Sequence, residues 1–273
     1  MRAPGGRFVS AECAGKVNEV PPGAVLEVGT NNVLMNGTVI SHIERCPFLQ
    51  DPPALSGYTE WVQAGPSTSS YNLEEATVVV PAVPVGGSTG QILYLWNGLQ
   101  GATSAGEYLI QPVLEYPDQY NSNQWELRNW LMEPGFATPY GGAWVNKNDD
   151  ISLIMEEVAY NDNKQTWYYG GYDLTLGGST YLEAILPQAV TLVVAWPFVF
   201  EPKTVSSCSQ LSPSNEAYAY NVSLYQSGPN WNSYNSVPSS VWTPYNIGDA
   251  GTPFCAWTNP TIAGSNITMT WQE

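Results

Sequence analysis

Gln111 is the polar residue of this sequence whose surroundings most call for a chemical explanation. It follows Leu109 and Ile110 in the apolar run YLIQPVLEY, near the middle of an aromatic-rich stretch from Gln91 to Trp130. An amide on a buried strand is costly unless it is hydrogen-bonded, so we expect Gln111 to have a partner and a role. The carboxylates in apolar contexts are the other candidates: Glu74, Glu75, Glu115, Glu126, Glu133, Glu156, Glu157, Glu183 and Glu201.

Glu201 stands apart from the other carboxylates because it ends the most hydrophobic segment, TLVVAWPFVFEP. Strand alternation places it on the face opposite Phe198 and Phe200. A carboxylate that faces a cleft can serve as a general acid or base. The two Glu-Glu pairs are less informative, since neighbouring strand residues face opposite sides and at most one of each pair points inward.

Several kinds of active site are excluded by residues that the sequence lacks. His42 is the only histidine, and no GxSxG or HExxH motif occurs, which argues against a Ser-His-Asp triad and against a zinc peptidase. One histidine and four separated cysteines are too few ligands for a zinc centre, and no dinucleotide-binding glycine pattern follows a strand. We therefore expect no metal and no cofactor, and chemistry based on carboxylates, amides and aromatic rings.

The charge balance narrows the possible partners. Twenty-four acidic residues oppose eight Lys and Arg, a formal charge of −16. Nucleic acids and anionic membranes are excluded as partners, because both require clusters of cations. The acidity either serves only solubility or suits work at low pH, where protonation of carboxylates relieves their mutual repulsion.

The cysteines indicate a secreted protein with two disulfide bonds. Three pairings are possible, and the most economical joins Cys13 to Cys46 and Cys208 to Cys255. Glycosylation sequons agree with an extracellular location; they begin at Asn36, Asn221 and Asn266.

The strand pattern predicts an all-β protein. Short apolar runs about ten residues apart, separated by Gly, Pro and Asn, are typical of a β-sandwich of jelly-roll or concanavalin-like type. Residues 1–57 are expected to form a small β extension, with a hairpin at Asn36-Gly37, packed on a main domain of residues 58–273. QWELRNWLM, the one segment that could be helical, is interpreted as a strand.

Residues 58–273 resemble the eqolisin-type glutamic peptidases. The resemblance lies in WNGL, the strand YLIQPVLEY, a following tryptophan-rich strand, and FVFEPKTVSSC, in which a hydrophobic strand ends in glutamate. It implies a sandwich of two curved antiparallel sheets and a secreted, acid-active endopeptidase that acts as a monomer on polypeptides.

The resemblance also implies residue roles. Gln111 matches the catalytic glutamine, Glu201 the catalytic glutamate, and Trp96 and Trp130 the tryptophans of the substrate cleft. Glu183 in TYLEAIL is a rival to Glu201, because the match around Glu201 is gapped. A glutamine amide can stabilise an oxyanion without being titrated at low pH, where histidine would be useless as a base.

Departures from the family pattern keep two other functions open. Trp196-Pro197 and Arg128-Asn129 stand where the family often has acidic or polar residues, which could mean altered specificity or an inactive site. The second hypothesis is a non-catalytic module that binds glycans or peptides through exposed aromatics; its candidate platform is WYYGGY, Trp231, Trp242 and Trp257. The third is a glycan-active enzyme with two inward carboxylates.

Overall fold

The computed structural model describes residues 3–4, 9–16, 18–49, 59–117, 123–161, 164–187, 190–227, 233–247 and 255–272. These residues form one short helix, α1 (Ala11–Ala14), two 3₁₀ turns (Cys208–Gln210 and Ser239–Val241) and eighteen strands. The strands are β1 (Val25–Glu27), β2 (Asn32–Met35), β3 (Thr38–His42), β4 (Thr59–Ala64), β5 (Tyr71–Val79), β6 (Ile92–Thr103), β7 (Gly106–Tyr116), β8 (Trp125–Glu133), β9 (Phe136–Val145), β10 (Asp150–Asn161), β11 (Lys164–Asp173), β12 (Ser179–Leu186), β13 (Thr191–Lys203), β14 (Glu216–Ser227), β15 (Tyr234–Ser236), β16 (Thr243–Ile247), β17 (Thr261–Ala263) and β18 (Asn266–Thr270).

Two sheets make up the sandwich that the strand pattern predicts. The smaller sheet has the order β16-β4-β13-β6-β7-β8-β9, and all its pairs are antiparallel. The larger sheet has the order β17-β18-β14-β5-β10-β11-β12-β1-β2-β3, with β15 also paired to β14. Only the β1–β12 pair is parallel among the pairs described. The all-β prediction is confirmed, and the segment interpreted as a strand is β8.

Alternation explains how strands of the larger sheet sit on the core. In β12, Leu182, Ala184 and Leu186 are buried, while Tyr181 and Glu183 point away from the core and stay half-exposed. Strand β8 is different, because every one of its residues is buried. A strand buried on both faces needs a second cover besides the opposite sheet.

The N-terminal section supplies that second cover. Its hairpin β2–β3 turns at Asn36-Gly37, where φ is 52° and 76°, the left-handed values that a two-residue hairpin turn requires. Strand β1 extends the larger sheet beside β12. Cys13 and Cys46 form a disulfide bond with a Cα–Cα distance of 5.6 Å, and Cys208 bonds to Cys255. The division at residues 57 and 58 lies outside the described residues and stays a prediction.

Strand β13 bends where the sequence puts a proline inside it. The register with β6 shifts between Trp196 and Val199, so Pro197 lies in a β-bulge of a central strand. A bulge leaves a residue outside the hydrogen-bond ladder, which is what proline needs because it has no N–H to donate. Beyond the bulge, regular pairing with β6 resumes, and this pairing fixes the position of Glu201 along the sheet.

Candidate active site

Gln111 lies on the outer face of the smaller sheet, the face turned away from the opposite sheet. Its neighbours Ile110 and Leu114 belong to the main core between the sheets, while Leu109 and Val113 belong to a second apolar cluster on the outer face. Gln111 is two residues from each of Leu109 and Val113, so its side chain lies on the same outer face as theirs. It is fully buried. Its Nε2 donates a hydrogen bond to the backbone carbonyl of Pro4 over 3.3 Å. The expected partner of this amide is therefore a peptide carbonyl of the same chain.

Strand register brings Glu201 onto the same face as Gln111. Glu201 is level with Tyr94 on β6, and Tyr94 is level with Glu115 on β7, four residues from Gln111. Trp96 occupies the intermediate level on the intervening strand, between the two candidates. The structure therefore places Gln111, Trp96 and Glu201 on one face, with the candidate dyad two strands apart.

The carboxylate of Glu201 is held by two donors. Trp96 Nε1 donates to Oε2 over 3.3 Å, and Lys203 Nζ donates to Oε1 over 2.6 Å. Glu201 and Lys203 are 4% and 3% exposed, so this is a buried ion pair. The lysine compensates a charge that would otherwise be very costly to bury. Lys203 was missed in the sequence, although a residue two positions on in a strand must share the face of Glu201.

A second buried ion cluster lies beside the first. Arg128 forms ion pairs with Glu126 over 2.8 Å and with Glu115 over 3.6 Å. Burial works to lower the pKa of Arg128, but the two carboxylates outweigh it and the pKa is raised. Burial, with the charges of Glu115 and Glu201 adding to it, lifts the pKa of Tyr94 well above its usual value, so Tyr94 stays a neutral phenol between the two clusters.

The N-terminal section covers this face. Ala3, Val9 and Ala14 have no exposed surface, and they belong to the same apolar cluster as Trp96 and Trp130. Trp96 is 4% exposed and Trp130 is fully buried. The sequence predicts that residues 1–57 pack on the main body, but it does not show that they lie over the two tryptophans and the candidate dyad.

Glu183, the rival of Glu201, is in the other sheet. It points outward from β12, level with Tyr168 of β11, and lines a groove with Tyr181 and Pro21. It therefore does not share a face with Gln111. Of the two glutamates, only Glu201 lies on the candidate site's sheet.

In the aromatic platform of the second hypothesis, the tryptophans that the structure describes are buried, whereas Tyr172 of WYYGGY is 39% exposed. Trp242 and Trp257 are 6% and 7% exposed, and Trp257 packs against Phe200 with ring centroids 5.6 Å apart. Trp167 of WYYGGY is fully buried as well. Trp231 lies outside the described residues. Trp167, Trp242 and Trp257 are therefore core residues and not exposed ones.

No group of three or more histidine, cysteine or acidic side chains is arranged to hold a metal ion in the described part of the chain. Among the described helices, none has the length and apolar character needed to cross a membrane.

Comparison with known proteins shows similarity in structure only. No protein-family model matches the sequence, and no curated protein does. Several solved structures are similar, and three of them are described here. Scytalido-glutamic peptidase with a transition-state analogue inhibitor has a TM-score of 0.54 and 13% identity. The same peptidase with a peptide-based transition-state analogue has a TM-score of 0.52 and 14% identity. SCP-B, a member of the eqolisin family in complex with the tripeptide Ala-Ile-His, has a TM-score of 0.51 and 14% identity.

Each of the three similarities covers 79% of this chain and 98% of the other. At this level of identity they establish a shared fold. The chain has the β-sandwich of the eqolisin peptidases.

Proposed function

We propose that the protein is a secreted, monomeric endopeptidase of the glutamic type, which hydrolyses polypeptides in acid with Gln111 and Glu201. The observation that carries the proposal is the hydrogen bond from Gln111 Nε2 to the carbonyl oxygen of Pro4. It supports a cleft that accepts polypeptide with a backbone carbonyl directed at this amide. Glu201, on the same face, would supply the carboxylate.

The reaction needs few groups. Glu201 takes a proton from a water molecule as the water oxygen adds to the scissile carbonyl carbon. The carbonyl oxygen becomes an oxyanion, and the N–H of Gln111 stabilises it; one such donor is typically worth about 3 kcal/mol. When the C–N bond breaks, Glu201 returns the proton to the departing amine. The products are a carboxylic acid and an amine, and the enzyme is regenerated.

Trp96 and Lys203 would orient the carboxylate for this work. Each donates to a different oxygen of Glu201, so the plane of the carboxylate is fixed from two sides. A group held by two donors loses little freedom in the reaction, which is the benefit of a preorganised site. The tryptophan is neutral, while the lysine compensates the buried charge.

Activity at acidic pH agrees with the buried carboxyl groups found elsewhere in the fold. Burial raises the pKa of Glu60 to about 8 and that of Glu157 to about 7, and it holds the pKa of Glu74 well above the usual value. Such carboxyls are buried at least cost when they are protonated, so they favour the folded state at low pH. Secretion is supported by the two disulfide bonds.

The test is cleavage of a denatured protein between about pH 2 and 6 with pepstatin present. Gln111→Ala should lower kcat by about 10²- to 10³-fold, the usual effect of losing an oxyanion donor. Glu201→Gln should abolish cleavage, and Glu183→Gln, on the other sheet, is the matched control that should keep it. Cleavage that persists in both Gln111→Ala and Glu201→Gln would refute the proposed dyad.

A non-catalytic polypeptide-binding module is the second candidate. The short ion pair between Glu201 and Lys203, 2.6 Å long and buried, favours it because a carboxylate engaged in this way is less available to a water molecule. Lys203→Met would separate the two functions. If the protein is a peptidase, this substitution should change kcat. If the protein is a binding module, the substitution should change only the affinity for peptides.

A further inference from the structure

A groove of about 370 Å³ lies on the outer face of the larger sheet, on the far side of the sandwich from the candidate active site. Strand β12 supplies Ser179, Tyr181 and Glu183, which alternate along the strand and point away from the core. Tyr168 of β11 completes the floor, and residues 20–24, which precede β1, form one wall. The volume is within the range of about 300–1,000 Å³ that is usual for ligand sites.

Both sides of the groove are held in place by the fold. The rings of Tyr168 and Tyr181 stack with centroids 4.7 Å apart and an angle of 19° between their planes. Tyr181 is level with Gly170, where a β-carbon would lie 2.7 Å from Cδ1 of Tyr181, so this ring position needs a glycine opposite. In the wall, the N–H of Ala24 donates to the carbonyl of Pro21 over 2.9 Å, and the following strand β1 pairs with β12. The groove is therefore formed before any ligand binds.

The lining of the groove carries negative charge and no compensating cation. Glu183 is half-exposed and level with Tyr168. Burial raises the pKa of the Tyr168 phenol, and the charge of Glu183 raises it further, so the carboxylate acts on this ring. No lysine or arginine is among the residues that line the groove, and Lys164, on the same strand as Tyr168, forms an ion pair with Glu27 over 3.2 Å. A cationic ligand would supply the missing charge, and the formal charge of −16 would attract it.

Two stacked rings, a carboxylate and an apolar wall together fit an arginine side chain. A guanidinium is planar, so it can stack on a tyrosine ring and donate two parallel hydrogen bonds to a carboxylate. A lysine ammonium cannot donate in this bidentate way. The methylene groups of the arginine would contact Pro21 and Pro22 while its charged end stays at Glu183. A neutral sugar could stack on the rings, but it would leave the charge of Glu183 uncompensated.

We propose that the groove binds an arginine side chain of a partner polypeptide, with the guanidinium against the stacked rings of Tyr168 and Tyr181 and in contact with Glu183. The site is separate from the proposed catalytic residues, because they lie on the outer face of the other sheet. The inference therefore does not rest on the proposed function. A protein that cleaves nothing would still bind arginine here, and cleavage at Gln111 would proceed with the groove empty.

The test is an NMR titration of the wild-type protein near neutral pH with the capped tripeptide acetyl-Gly-Arg-Gly-amide. The ring signals of Tyr168 and Tyr181 should shift and reach saturation; Tyr168→Phe and Tyr181→Phe identify these signals. The same peptide with citrulline in place of arginine keeps the planar shape and lacks the charge, so it should bind at least about tenfold more weakly. The peptide with lysine should bind at least about threefold more weakly.

Two variants test the carboxylate and the ring separately. Glu183→Gln keeps the shape of the side chain and removes its charge, and it should weaken binding of the arginine peptide at least about threefold. Tyr168→Leu removes the ring beneath the guanidinium and should weaken binding by a similar factor, followed on the Tyr181 signals. Glu75→Gln is the matched control, because it removes the same charge from a half-exposed position of β5 outside the groove. It should bind the peptide like wild type.

Several results would overturn the proposal. They are an absence of shifts at both tyrosines, equal binding of the arginine peptide and either the citrulline or the lysine peptide, and equal binding by wild type and Glu183→Gln. Cellotetraose tests a glycan in the same titration. If it binds the groove more tightly than the arginine peptide, the assignment to a polypeptide is wrong, and weaker binding supports it. None of these measurements involves cleavage, so a failure of the proposed function leaves them unchanged.

Discussion

Glu60 offers a direct test of the idea that buried carboxyl groups make the folded state more stable at acidic than at neutral pH. It lies on β4, level with Phe200 of β13, and its side chain has no exposed surface. Neither carboxylate oxygen has a hydrogen-bond partner among the described residues. Burial raises the pKa of Glu60 from 4.5 to about 8. The folded protein therefore keeps Glu60 protonated over a range of pH in which the unfolded chain ionises it.

The size of the effect follows from that difference. Between about pH 4.5 and 8 the unfolded state binds one proton fewer at this residue, so the free energy of unfolding falls by about 1.4 kcal/mol per pH unit. From pH 4.5 to pH 7 the loss is about 3 kcal/mol, and it levels off near pH 8. The stabilisation is complete below the unfolded pKa and is lost as pH rises through the folded value. Glu60→Gln has a similar shape and no proton to lose, so it should lack this component.

The assay is urea unfolding of wild type and Glu60→Gln at pH 4.5 and pH 7. Wild type should lose about 3 kcal/mol more than the variant between the two pH values. Glu74 and Glu157 are present in both proteins, so their contributions cancel in the comparison. Glu19→Gln, at an exposed position, is the matched control and should behave like wild type. A difference below about 0.5 kcal/mol between wild type and Glu60→Gln would refute the reasoning.

Two further predictions concern stability. Arg128→Met removes the cation from two buried carboxylates and should lower the free energy of unfolding by about 3–5 kcal/mol at pH 7. A loss below about 1 kcal/mol, measured by urea unfolding, would contradict this. Replacing Cys208 and Cys255 by serine opens a bond that spans 47 residues and should cost about 4 kcal/mol on the loop-entropy estimate. Thermal unfolding tests this, with reduced wild type as the control, and a melting temperature unchanged from that of the oxidised protein would show the estimate to be wrong.

Local patterns were sufficient for much of the fold. Alternation in segments such as β12 and the hairpin signal at Asn36-Gly37 depend only on neighbouring residues, because side-chain direction in a strand repeats every two residues. The local structure at Pro197 also depends on the residue itself, because a proline within a strand must lie at a sheet edge or in a bulge, and here it lies in a bulge. The sequence could not distinguish exposed from buried tryptophans, because Trp242 and Trp257 are in the core for reasons of packing.

The sequence by itself determined which chemistry was available. It contains one histidine, separated cysteines, and a glutamine and a glutamate in apolar strands, and these facts hold in any fold. Only the tertiary structure decided that Gln111 and Glu201 share a face, because that depends on the register of β13, β6 and β7. It also decided that Pro4 lies against Gln111. That contact joins residues 107 positions apart, so no local pattern could reveal it.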